Sequence, residues 1–102
     1  ADVIRVDTPV LGGITPALKV IALADAHGLP VSPHIYPEIN IHLAAAFENV
    51  LAVEAFSPRS ELYQIDRFIS PSLEFADGEA AVPAAPGLGI ELAWDELEAY
   101  AI

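Results

Sequence analysis

The sequence predicts an α/β fold in which short parallel strands lie under covering helices. Three observations carry this. Short apolar, β-branched runs alternate with stretches of helical spacing across residues 2–54, the connections between them are short, and the strand candidates are apolar on both faces. Strands of that kind pair in parallel and are covered by helices.

Asp2 to Val6, DVIRV, is a β-branched run closed by Asp7 and the loop TPVLGG, and is expected as a strand followed by a turn. Thr15 and Pro16 then offer an N-cap and a proline at the first helical position, and Gly28 a stop, for the helix ALKVIALADAH. Ala17, Val20, Ile21 and Ala24 share its buried face. Leu29 to Pro33 is a second strand with His34 just after it, and Glu38 to Phe47 a second helix whose end Asn49 marks. Val50 to Val53 is a third, wholly apolar strand ending at Glu54.

Beyond Glu54 the pattern changes. SPRSELYQIDRFISP is expected as a connecting loop, and LEFADGEAAV as a hairpin turning at Asp77-Gly78 with type I′ geometry. AAPGLG is irregular, and Trp94 to Tyr100 is a short helix with Asp95, Glu96 and Glu98 on a solvated face. No internal repeat or low-complexity tract is present.

Composition narrows the function classes. With 102 residues the chain holds one small core, so it is one domain or a piece of one. Hydrophobic residues are 54% and mean hydropathy is +0.46, but no apolar run approaches membrane-spanning length, so no membrane partner is expected. A formal charge of −11 with four Lys and Arg opposes binding to phosphate backbones, so no nucleic acid is expected either. Cys is absent and nothing at the N-terminus resembles a signal peptide, which makes cytoplasmic localisation the expectation. The chain starts with Ala and has no Met, so it reads as a fragment.

The chemistry gathers at strand ends. Asp7, His34 and Glu54 each follow one of three successive parallel strands, the end that bears catalytic groups in a β/α barrel. A carboxylate beside one imidazole nitrogen fixes the tautomer and stabilises the imidazolium, leaving the other nitrogen as a base that titrates near neutral pH. Glu54, with a pKa raised by burial and nearby negative charge, would donate a hydrogen bond to a developing oxyanion. Taken singly, Asp7 is equally a turn residue before Thr8-Pro9, His34 a structural histidine and Glu54 a solvated strand end.

The segments DVIRVDTPVLGGITPALKVIALADAHGLPVSPH, PEINIHLAAAFENVLAVE and PGLGIEL resemble the mandelate-racemase-like branch of the enolase superfamily, the mandelate racemase/muconate lactonizing enzyme family, over nearly the whole chain. In that branch an Asp precedes a Gly-Gly-Ile/Val-Thr segment, a His follows Ser-Pro or Ser-Ser, and a Glu ends the last strand. Asp7, His34 and Glu54 fill those places at spacings of 27 and 20 residues.

The resemblance implies that residues 1–72 are the C-terminal part of a modified TIM-type β/α barrel, its last three strands, and that residues 73–102 form a tail packing on an N-terminal capping domain. It implies a catalytic set of His34, Asp7 and Glu54, with His34 abstracting the proton α to a small carboxylate substrate. In that superfamily the enediolate so formed is held by Mg²⁺, and the resemblance implies the same here. The Mg²⁺ ligands belong to the upstream half of the barrel, so the expectation for this chain is that it supplies none. The partners implied are the rest of the barrel and capping domain, in a homo-oligomeric full-length enzyme. A sugar-acid dehydratase leads, a 2-hydroxy-acid racemase or epimerase is the alternative, and the isolated chain is a third possibility as a noncatalytic fragment or assembly module with two open sheet edges.

The sequence departs from the family pattern at Val10, where an Arg commonly stands two residues before the Gly pair; this affects a local salt bridge and not the chemistry. His42 stands four residues after Glu38, a spacing suited to metal, but the resemblance puts that helix outside the barrel and packing is expected. Tyr36 is placed to line the pocket and is the substrate-binding candidate. Gly12-Gly13 before a helix is explained as well by a tight turn as by an anion site, and PGLG is expected as a backbone fit.

Overall fold

In the computed structural model, residues 1–57 and 60–102 are described, and they divide into two compact units, Ala1–Ala55 and Phe56–Ile102. The first is a β-α-β-α unit: β1 (Ile4–Val6), α1 (Ile14–Ala26), β2 (Val31–Pro33) and α2 (Pro37–Ala46). β1 and β2 pair in parallel with Ile4 opposite Val31, Arg5 opposite Ser32 and Val6 opposite Pro33. The 3.6-residue period brings Ala17, Ile21 and Ala24 of α1 onto one face, where they are buried with Val6, Val31, Leu43 and Val50. This cluster fixes the two strands against each other.

The helix α1 begins at Ile14, one residue before the expected cap, with Gly13 at the N-cap position and no side-chain cap. The cause lies in the glycine pair: Gly12 and Gly13 take φ of 93° and 115°, and the Gly13 N–H reaches Thr8 O at 2.9 Å, closing the turn after β1. Thr15 and Pro16 therefore fall inside the first turn, where the proline's missing N–H has no intrahelical acceptor to disappoint. Gly28, at φ 64°, ends α1 as expected. α2 runs one residue earlier at each end than the sequence indicates, with Pro37 in its first turn.

The third strand is reduced to a single parallel bridge, Val31 to Val50. Val31 N–H donates to Asn49 O at 2.7 Å, and Leu51 N–H to Val31 O at 2.9 Å. The next rung of that ladder requires an N–H at position 33. Pro33 has none, so the pairing expected for Val50 to Val53 stops after one residue pair.

In the second unit, part of the stretch expected as a connecting loop is ordered: a 3-10 turn at Ile65–Phe68 leads into β3 (Ile69–Ser70). Pro58 and Arg59 of that stretch lie outside the described residues. β4 (Phe75–Ala76) and β5 (Glu79–Ala80) form the expected hairpin, with Asp77 and Gly78 at φ 54° and 82° as type I′ demands. β6 (Glu91–Leu92) pairs antiparallel with β3, and α3 (Trp94–Leu97) tightens into a 3-10 turn at Glu98–Tyr100, so the expected helix is α-helical only in its first half. Phe68 meets Tyr100 edge-on at 5.6 Å. Through these pairings residues within 56–72 associate with residues within 73–102 inside the second unit. Gly89 packs so close to Pro83 that a Cβ there would collide, which accounts for the glycine as a backbone fit. Among the described residues no helix is long and apolar enough to cross a membrane.

Candidate active site

Strand alternation sorts the first unit into two faces. Val6 on β1 and Val31 and Pro33 on β2 face the helices, so Arg5, Asp7, Ser32 and His34 stand on the opposite face. Parallel register then makes Asp7 and His34 neighbours, each one residue beyond the Val6–Pro33 pair, and His34 N–H continues the ladder to Val6 O at 2.7 Å.

The Asp7 carboxylate is held at both oxygens. Oδ2 lies 2.7 Å from His34 Nδ1, and Oδ1 accepts the Val10 N–H at 3.1 Å. The His34 hydrogen bond, and after it the Val10 N–H, holds the Asp7 carboxyl below its ordinary range. An ionised Asp7 only accepts, so the proton between the two groups sits on Nδ1, and Nε2 is left as the basic edge of the ring.

Glu54 reaches the same cluster by another route than expected. Its Oε2 accepts from Arg5 Nη2 at 2.7 Å and from the backbone N–H of Ile35 at 2.9 Å. These contacts, Arg5 first, hold the Glu54 carboxyl below its ordinary value, where the sequence had pointed to a raised one. Glu54 is only partly buried and its closest charge is positive, so neither condition for a neutral carboxylic acid holds in this chain. It is an ionised clamp on the residue after His34.

That residue begins an unusual turn. Ile35 and Tyr36 are both left-handed, at φ 50° and 46°, a conformation costing an L-residue about 1–2 kcal/mol and rare for a β-branched one. Side chains grip the turn on both sides of Ile35: Glu54 takes its N–H, and Asn40 Nδ2 donates to its C=O at 2.6 Å. Asn40 is fully buried, and its Oδ1 accepts the Thr8 hydroxyl at 2.7 Å. Arg5, Thr8 and Asn40 were not singled out from sequence. The alternation of the first strand already put Arg5 on the face of Asp7, while nothing local marks Asn40 within INI or Thr8 before Pro9.

Tyr36 occupies the N-cap position of α2, its carbonyl accepting from Ile39 and Asn40 N–H at 3.0 Å each. Glu38 is buried on α2 with His42 one turn on. Among the described residues no three His, Asp or Glu side chains come together in a group that could hold a metal ion.

The sequence profile of the family described as enolase C-terminal domain-like matches residues 1–96. L-talarate/galactarate dehydratase of Salmonella typhimurium is 34% identical over 90% of this chain and 22% of its own length. Muconate cycloisomerase 1 of Rhodococcus opacus is 30% identical over 98% of this chain and 28% of its own. The crystal structure of L-talarate dehydratase from Polaromonas sp. JS666, complexed with Mg and L-glucarate, superposes with a TM-score of 0.78 at 39% identity, over 90% of this chain and 23% of that one. The chain thus spans less than a third of the length of these relatives.

Proposed function

This chain belongs to the enolase C-terminal domain-like family, and from that premise we propose that it is the catalytic-base segment of a sugar-acid dehydratase. The observation that carries the proposal is the 2.7 Å contact between Asp7 and His34 Nδ1, which orients the ring and leaves Nε2 to take a proton. Similarity to two dehydratases of dicarboxylic sugar acids favours dehydration over racemisation.

In the proposed reaction His34 Nε2 removes the proton α to the substrate carboxylate, and the C–H electron pair enters the carboxylate as an enediolate. That pair returns to form the Cα=Cβ bond as the β C–O bond breaks. The leaving hydroxyl departs as water with a proton from an acid, for which the His34 imidazolium is suited, and the enol becomes a 2-keto acid. Asp7 supports both protonation states of the ring, and Glu54 fixes its loop. Mg²⁺, where bound, would take its ligands from outside this chain, from the part of the protein that also holds the remaining barrel strands and the capping domain, and Tyr36 lines the substrate pocket beside His34.

The test is to supply the full-length protein, with Mg²⁺, a panel of aldaric and aldonic acids and to follow 2-keto acid formation. Keto acid formed by the parent and lost in His34→Asn is the expected result. Epimer accumulating without keto acid would transfer the proposal to a racemase, and no α-proton exchange with any acid would remove it.

A further inference from the structure

We infer that Asn40, together with Thr8, is a positioning residue for His34, tying the turn after His34 to the loop that carries Asp7. The inference deepens the reading of His34 as the base and rests on it. Thr8 follows Asp7 in the chain and Ile35 follows His34, so the Thr8–Asn40–Ile35 link runs beside the Asp7–His34 bond, one residue further along both loops. One contact fixes a separation. A second, adjacent one fixes the angle between the loops, and with it the direction of the imidazole.

The bonding leaves the Asn40 amide no freedom. Its Oδ1 accepts from Thr8, and its Nδ2 donates to Ile35 O at 2.6 Å and, more weakly, to His34 O at 3.4 Å. Flipping the amide would set its oxygen against the Ile35 carbonyl, acceptor against acceptor. Both side chains are almost wholly buried, at 0% and 1% exposure, so water does not compete for these bonds. The turn they hold consists of two non-glycine residues in the left-handed region, which persist only where their surroundings enforce them. Released, the turn relaxes and carries the His34 backbone with it.

The experiment uses the double substitution Thr8→Val with Asn40→Leu in the full-length protein, because removing both partners of the Thr8–Asn40 bond leaves no orphaned side-chain polar group, and only the Ile35 and His34 carbonyls lose a donor. A misdirected base lowers kcat for α-proton exchange by about 10- to 100-fold with KM within about threefold. The ¹⁵N signals of the His34 ring in this chain then lose the pattern of an Nδ1–H held by Asp7. If the double variant does not fold, Thr8→Val against Thr8→Ser decides: Val lowers kcat, and Ser restores it to within about twofold. Parent-like kcat and ring signals in a folded double variant, or a Thr8→Val protein equal to the Thr8→Ser one, overturn the inference. A His34→Asn protein that exchanges at the parent rate instead sinks the reading of His34 as base, and the ring signals still decide the role of Asn40.

Discussion

Asp7 Oδ2 and His34 Nδ1 stand 2.7 Å apart although 27 residues separate them, because a β-α-β unit returns the chain to the neighbouring parallel strand one residue past the Val6–Pro33 pair. The geometry gives the two residues unequal weights. Replacing His34 by Asn removes the proton acceptor and is expected to abolish α-proton exchange in the full-length protein, a loss of about 10²- to 10⁴-fold or more. Asp7→Asn leaves the base in place but poorly oriented, so exchange falls less. Deuterium incorporation at the α carbon in D₂O measures both, and an unimpaired His34→Asn protein would end the assignment.

The same pair imposes a pH dependence on stability. The Asp7 carboxyl is depressed from its ordinary 3.8 by the His34 hydrogen bond and then by Val10 N–H, so its stabilising effect is full above 3.8 and is lost as pH falls through the lower folded value. Urea midpoints of the chain measured from neutral pH downward should therefore decline more steeply below pH 3.8 in the parent than in Asp7→Asn. Parallel declines would mean that the pair does not persist in solution.

Arg5 dictates the state of Glu54. Their 2.7 Å contact, with the Ile35 N–H behind it, depresses Glu54 from an ordinary 4.5, so Arg5→Gln should move its titration upward while Arg5→Lys moves it less. Carbon-13 NMR of the Glu54 carboxyl reads this directly. An unchanged titration in Arg5→Gln would show that the guanidinium does not hold this carboxylate.

Ile21 tests what keeps the two strands in register. It has 0% exposure at the centre of the core cluster, so Ile21→Ala should cost about 2–5 kcal/mol. A loss under about 1 kcal/mol in urea denaturation would show that the cluster does not hold the unit together.

The sequence made the Asp7–His34 pair legible because strand ends are marked by abrupt polar residues, and parallel neighbours place such ends side by side. The glycine-allowed turn at Asp77-Gly78 was legible for a similar reason, since type I′ geometry needs particular residues at two adjacent positions. Asn40 and Thr8 were hidden because their partners are backbone and side chains more than thirty residues apart or around a turn that no propensity foretells: isoleucine and tyrosine are poor indicators of left-handed backbone. The ionised Glu54 was not legible because burial and nearby negative charge were expected there, whereas its carboxylate is a third exposed and pairs with Arg5. β3 and β6 are two residues long and pair across the unit, too short for any periodicity to register. The truncated third strand is different, for Pro33 stands in plain view and its missing donor predicts the break.

That break yields the last prediction. In Pro33→Val the new N–H points along the side of β2 that already bonds residues 49 and 51, where Leu51 C=O is the next acceptor in a parallel ladder. Stability is a poor readout, because the added hydrogen bond, about 1 kcal/mol, is offset by about 0.4–1 kcal/mol from the greater freedom of an unfolded chain without the proline. Amide exchange is the better one. The new N–H at position 33 should exchange slowly and residues 51–53 should gain protection, while His34 N–H, bonded to Val6 O on the opposite side of β2, stays as protected as before. If the amide introduced at position 33 exchanges as fast as an unstructured one, something other than the proline's missing donor stops the third strand after Val50.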